Sequence, residues 1–282
     1  MTNCLAGCCR WGDFVSDAVF SSSGLVVDEQ TASSLVPVKG FSPSSFASIC
    51  DCPARWAGER VFHGKPNLLS PAQIGSGAHY VLEMFYGLSP DQRSRFMFGD
   101  CLDRAALDFS DLYGLKWGRR TDWCMLVEQA CQGLWGIEDP MEVDIFAREF
   151  GLNGLELGGV PFFGVVDRMR DDNGLYWVED YKTSYRVPYF VADSRHLDQQ
   201  RLYILALRSL DYPVAGARLL YTRIGKVYKV PTSRRDMRDI LERFKQAWGR
   251  LNDFTSTGVF PASPSASCRH CPFSDRCQAS AH

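Results

Sequence analysis

Apolar residues recur along the chain at two periods, and the periods mark its elements. Ile74, His79, Val81, Leu82, Phe85 and Tyr86 fall at helical spacing and predict a helix over 69–88. Further helices are expected at about 90–113 and 121–135. The stretch Ala192–Leu210 is amphipathic with the same period, and Gln199 and Tyr203, four apart, share one of its faces. Residues 142–150 (EVDIFAREF) alternate as a strand does, and ARLLYTRI and KVYKV, separated by a turn at Gly225, predict two more. Ser42 followed by Pro43 is a helix start, serine as N-cap and proline in the first turn. A last helix, rich in arginine, spans about 233–254; its acids interleave with its bases, as on a solvated face. Before residue 40 the text is irregular, with room for one short strand. The expected division is an N-terminal extension, 1–40, and one domain, 41–282.

The strongest local signal is Gly164–Thr183, GVVDRMRDDNGLYWVEDYKT. Two apolar-rich runs flank Asn173-Gly174, the preferred pair for a two-residue hairpin turn. With Asp172 opposite Leu175, the count places Asp167 opposite Asp180, and Lys182 follows on the same sheet face. Facing carboxylates repel. Either they face water on an exposed hairpin, or a hard divalent cation lies between them with Lys182 beside it.

Asp167, twelve residues, and Asp180-Tyr181-Lys182 resemble the D…(D/E)xK core of the PD-(D/E)XK nucleases. GVVDRM followed by VEDYKTS looks like the RecB-type branch in particular, and four further features occur in that branch's order. Cys52-Pro53 with Trp56 follows the serine-capped helix. G-x-x-H-x-x-L-E carries His79, Gln199-x-x-x-Tyr203 lies beyond the lysine, and a cysteine-rich tail ends the chain. The resemblance spans 41–282. It implies an α/β domain of restriction-endonuclease-like fold, with a mixed central β-sheet flanked by helices. It implies hydrolysis of DNA phosphodiesters with Mg²⁺ or Mn²⁺ held by His79, Asp167, Asp180 and the Tyr181 carbonyl, and with Lys182 positioning water. Gln199 and Tyr203 would bind DNA, with stacking on a base as the expected use of Tyr203. Glu149 resembles a first-strand glutamate that stands near the metal without holding it. The kin implied are stand-alone exonucleases, CRISPR-associated or phage-encoded, acting on single-stranded or free-ended DNA with recombination or CRISPR-adaptation partners.

Composition narrows little of this. The chain has 282 residues, 45% of them hydrophobic, and a net charge of −2, so any DNA contact must come from local patches. No P-loop, membrane-length apolar run or signal peptide is seen, and a cytoplasmic protein is expected. The eleven cysteines do not suggest a disulfide framework in that compartment. Cys101, Cys124 and Cys131 read as core thiols, and Cys4, Cys8 and Cys9 as incidental ones. Cys268, Cys271 and Cys277 are spaced as ligands but need a fourth, for which Cys50 and Cys52 are candidates. The resemblance selects Cys52 and implies a [4Fe–4S] cluster joining the N- and C-terminal parts of the domain, with Zn²⁺ as the rival. The alternative from another class is a non-catalytic DNA-binding or assembly protein on a nuclease fold.

Overall fold

A short run of chemistry explains why the central hairpin forms where it does. Asn173 and Gly174 both take positive φ, +55° and +82°, as a type I′ turn requires. The Asp171 carboxylate closes the turn by accepting the Gly174 N–H at 2.7 Å. The structure, a computed structural model, describes residues 18–279 except 63, 65, 66, 186 and 188–193. Cys4, Cys8 and Cys9 lie outside the described residues.

In chain order the first elements are β1 (Val19–Ser21), β2 (Gly24–Val26), α1 (Glu29–Ser34), α2 (Pro43–Asp51) and α3 (Pro53–Val61). Then come α4 (Pro71–Tyr86), α5 (Arg95–Tyr113), α6 (Arg120–Cys131) and α7 (Leu134–Ile137). The hairpin region is β3 (Ile145–Leu157), β4 (Val160–Asp172) and β5 (Leu175–Lys182), followed by α8 (Ser194–Ser209). The chain closes with β6 (Val214–Tyr221), β7 (Lys226–Lys229), α9 (Arg234–Thr257) and β8 (Val259–Pro261). Among the described residues, no helix is long and apolar enough to cross a membrane.

The chain divides into two units. The first takes the described residues of Met1–Val36, Ser48–His63 and Arg250–His282; the second takes those of Pro37–Ala47 and Gly64–Gly249. In the first, β1, β2 and β8 form a three-stranded antiparallel sheet, with Leu25 opposite Phe260. Residues 18–36, read from sequence as an irregular extension, thus supply two strands instead of one. Gly24 is required there, because a Cβ would meet the Phe260 carbonyl oxygen at 2.1 Å.

The second unit holds a five-stranded mixed sheet in the order β3-β4-β5-β6-β7, with only β5 and β6 parallel. Helices α4, α5 and α6 build an apolar core around Val81, Phe85, Phe109 and Trp123. Tyr181 and Leu220, neighbours across the parallel pair, enter that core. Gly77 lets α4 approach α6, since a Cβ there would lie 2.5 Å from the Trp123 ring. Helix α8 packs along β3, β4, β5 and β6. Cys101 and Cys131 are buried and Cys124 is half-buried.

Candidate active site

The hairpin ladder runs from Asp172↔Leu175 to Arg168↔Glu179, in the register counted from the turn. One step further it gives way. The Tyr181 N–H, instead of continuing the ladder, donates to Asp167 Oδ2 at 3.1 Å. Strand β5 continues as the parallel partner of β6, with Asp180 opposite Leu219 and Lys182 opposite Tyr221. The site therefore sits where β5 runs past the end of its ladder with β4 while staying paired with β6.

Helix α4 brings His79 to this point. Ser70 caps the helix by accepting the Gln73 N–H, and Pro71 occupies its first turn. His79 Nδ1 lies 3.1 Å from Asp167 Oδ2, and Nε2 lies 2.9 Å from the Tyr181 carbonyl oxygen. Burial works against the imidazolium, but the Asp167 carboxylate outweighs it and raises the pKa to about 9. Asp167 responds in kind: burial raises its pKa, and the charge and hydrogen bond of His79 carry it below the usual value. Asp180 goes the other way, pushed up by burial more than Lys182 restrains it. It is 2% exposed, and Lys182 Nζ stands 2.5 Å from its Oδ2 as an ion partner.

Glu149 completes the acidic group. It falls between the pairs Arg148↔Arg168 and Phe150↔Val166, at the position facing Asp167. Its φ of +45° is left-handed backbone that a glutamate adopts only under constraint. Burial, then repulsion from Asp167 and Glu83, raises its pKa to about 7.

A buried carboxylate paired with one lysine, next to a second carboxylate, an imidazole and a main-chain carbonyl, is a donor set that suits a divalent cation. The donors now satisfy one another, with both His79 nitrogens engaged. Among the described residues no three His, Cys, Asp or Glu side chains are gathered as a metal group.

Gln199 and Tyr203 share a face of α8, with Gln199 Nε2 donating to Tyr203 Oη at 3.3 Å. The expected stacking role of Tyr203 needs correction. Its ring is 5% exposed, meets Phe162 edge-on and fills the space left by Gly164, where a Cβ would lie 2.6 Å from it. No ring face is open to a base; only the hydroxyl and Gln199 can face the site.

The cysteines of the tail are in the first unit. Cys52, Cys268, Cys271 and Cys277 line one pocket there with Arg55 and Phe273. Cys52 Sγ accepts the Ser263 N–H and Cys268 Sγ the Ser265 N–H, both at 3.4 Å. Cys50 is exposed and takes a hydrogen bond from Arg250.

Sequence reasoning missed the residue beside each aspartate. Arg168, fully buried, donates Nε to Glu179 at 2.6 Å and its Nη atoms to Glu138 at 2.6 and 3.0 Å. The Tyr86 hydroxyl also donates to Glu138, and the Arg168 guanidinium lies 4.6 Å from the Tyr86 ring centre. The signal was available: the register that opposes Asp167 to Asp180 also opposes Arg168 to Glu179.

No curated protein matches the chain. A family model does, described as the PD-(D/E)XK nuclease superfamily, and it covers residues 40–278. The α/β fold with its mixed central sheet agrees with that match, and the chain belongs to the PD-(D/E)XK nuclease superfamily.

Proposed function

We propose that the chain is a metal-dependent DNA exonuclease of the RecB-type branch, acting on single-stranded or free-ended DNA in recombination, repair or CRISPR-associated processing. The observation that carries the reading is the buried Asp180 carboxylate, paired with Lys182 and beside Asp167 and His79, where β5 runs past the end of its ladder with β4. Asp167, Asp180, His79 and the Tyr181 carbonyl would hold Mg²⁺ or Mn²⁺. The ion would supply Lewis-acid charge to the phosphate and make an attacking water more acidic. Lys182 orients that water from beside Asp180 and offsets the charge that develops on phosphorus. Asp167 orients His79 through Nδ1, and Glu149 adds negative potential from the neighbouring strand. In the first unit, Cys52, Cys268, Cys271 and Cys277 would hold a [4Fe–4S] cluster, with Zn²⁺ as the alternative. The shared pocket and the N–H donors aimed at two of the sulfurs support that ligand set.

The test is digestion of end-labelled linear DNA with Mg²⁺ or Mn²⁺, beside a closed circular control. Wild type should shorten the linear strand from an end and spare the circle. Asp167→Ala, Asp180→Ala and Lys182→Ala should each lose nearly all activity while still folding. Cleavage of the circle would refute the exonuclease reading, and near-wild-type digestion by Asp180→Ala would refute the site.

A further inference from the structure

The segment that leaves β5 after Lys182 carries a tyrosine held in an unusual way. Tyr185 is 71% exposed, yet it is not loose. Arg223, itself only 8% exposed, donates Nη1 to Tyr185 Oη at 2.7 Å and lays its guanidinium 4.2 Å from the ring centre. The same arginine donates Nε to the Thr183 carbonyl at 2.8 Å. Its own carbonyl accepts from Gln132 at 3.2 Å. One residue earlier, the Thr222 N–H donates to the Lys182 carbonyl at 3.0 Å, and Thr222 Oγ1 donates to the Ala130 carbonyl at 2.7 Å. Lys182, Thr183 and Tyr185 are thereby tied to the end of β6 as one piece.

An ordinary surface Tyr–Arg pair would use two flexible side chains and gain little from holding them together. Here the arginine is buried and bonds the main chain beside the proposed catalytic lysine, so one face of the ring is held against Arg223 while the residue stays largely exposed. A fixed aromatic face with a cation behind it stacks on a nucleobase whatever the base's identity. It lies three positions on from Lys182, at most about 11 Å of chain.

We propose that Tyr185, backed by Arg223, is a stacking platform for an unpaired nucleobase of the strand entering the site. The inference rests on the nuclease reading of the same site, and it names the recognition element that reading lacks now that Tyr203 is buried.

The experiment measures binding of a fluorescein-labelled single-stranded DNA oligonucleotide by anisotropy, with Ca²⁺ replacing Mg²⁺ to withhold cleavage. Tyr185→Ala should bind about tenfold more weakly, equivalent to about 1.4 kcal/mol, with an unchanged melting temperature because the ring is exposed. Tyr185→Phe and Tyr185→Trp should stay within about threefold of wild type, since the ring is kept. An abasic site scanned along the oligonucleotide should weaken wild type at one position by about the same tenfold factor, and leave Tyr185→Ala indifferent there. In Mg²⁺, Tyr185→Ala should raise KM with kcat nearly unchanged. Wild-type-like binding by Tyr185→Ala overturns the platform, as does a Phe variant as weak as the Ala variant, or wild type that binds no single strand. Wild type that binds with this abasic signature but cleaves nothing in Mg²⁺ or Mn²⁺ sinks the nuclease reading and leaves the platform standing.

Discussion

Glu149 stands at a strained backbone position among other carboxylates, and its replacement by glutamine isolates the electrostatic part of that cost. The carboxyl pKa rises from 4.5 to about 7 on folding. A group whose folded pKa is raised contributes its full stability below its unfolded pKa and loses it as pH rises through the folded one. At pH 4 the protonated glutamate and a glutamine are near equivalents. Above pH 7 the charged glutamate costs about 3 kcal/mol, from roughly 1.36 kcal/mol per unit, an upper bound because solvent screens a partly exposed carboxylate. The backbone φ of +45° is common to both variants and cancels. Urea unfolding from pH 4 to 8 should therefore show Glu149→Gln gaining up to about 3 kcal/mol over wild type at pH 8 and little at pH 4. Asp167→Asn should shrink the gap, since repulsion from Asp167 follows burial among its causes. An advantage that is the same at both ends of the pH range would refute the electrostatic account.

Much of this site was legible in the sequence because the turn that sets it is local. Asn-Gly fixes the sign of φ at two positions, the turn fixes the ladder, and a period of two does the rest. What a ladder count cannot show is where the ladder stops. The Tyr181 N–H turns to the Asp167 side chain where the β4 ladder ends, and β5 is held there by β6, a parallel strand more than thirty residues away. Helical period likewise gives a face but not a depth: Gln199 and Tyr203 do share a face, and Tyr203 lies in the core because Gly164 leaves it room. Nothing in the local text marks the left-handed Glu149, the arginine behind Tyr185, or the sheet that pairs β2 with β8 from the opposite end of the chain. These are consequences of tertiary pairing, to which local propensity is blind.

Three further outcomes follow from particular contacts. Cys52→Ser, Cys268→Ser, Cys271→Ser and Cys277→Ser, purified without oxygen, should each lose the brown colour and iron of the wild type, whereas Cys50→Ser should keep both; a colourless wild type with one zinc would replace the iron assignment. Tyr203→Ala should cost about 3–5 kcal/mol in urea unfolding, as for a large buried ring, while Tyr203→Phe keeps the packing and loses only the hydroxyl's contacts with Gln199 and the Val165 backbone; equal costs would refute the packing account. The last concerns Arg168, whose single guanidinium answers two buried carboxylates, Glu138 and Glu179. Arg168→Met keeps the length of the side chain and leaves Glu138 short of a cation, because Arg218 still reaches Glu179 at 2.6 Å whereas Arg170 stands 3.9 Å from Glu138. Breaking such a group from one side costs about 3–5 kcal/mol. If uncompensated charge is the cause, Glu138→Gln should recover part of the loss in the Arg168→Met background, though in wild type it only removes partners from Arg168 and Tyr86. Additive losses in the double variant would show that Arg168 stabilises by packing on Tyr86 and Tyr181 instead of by neutralising Glu138.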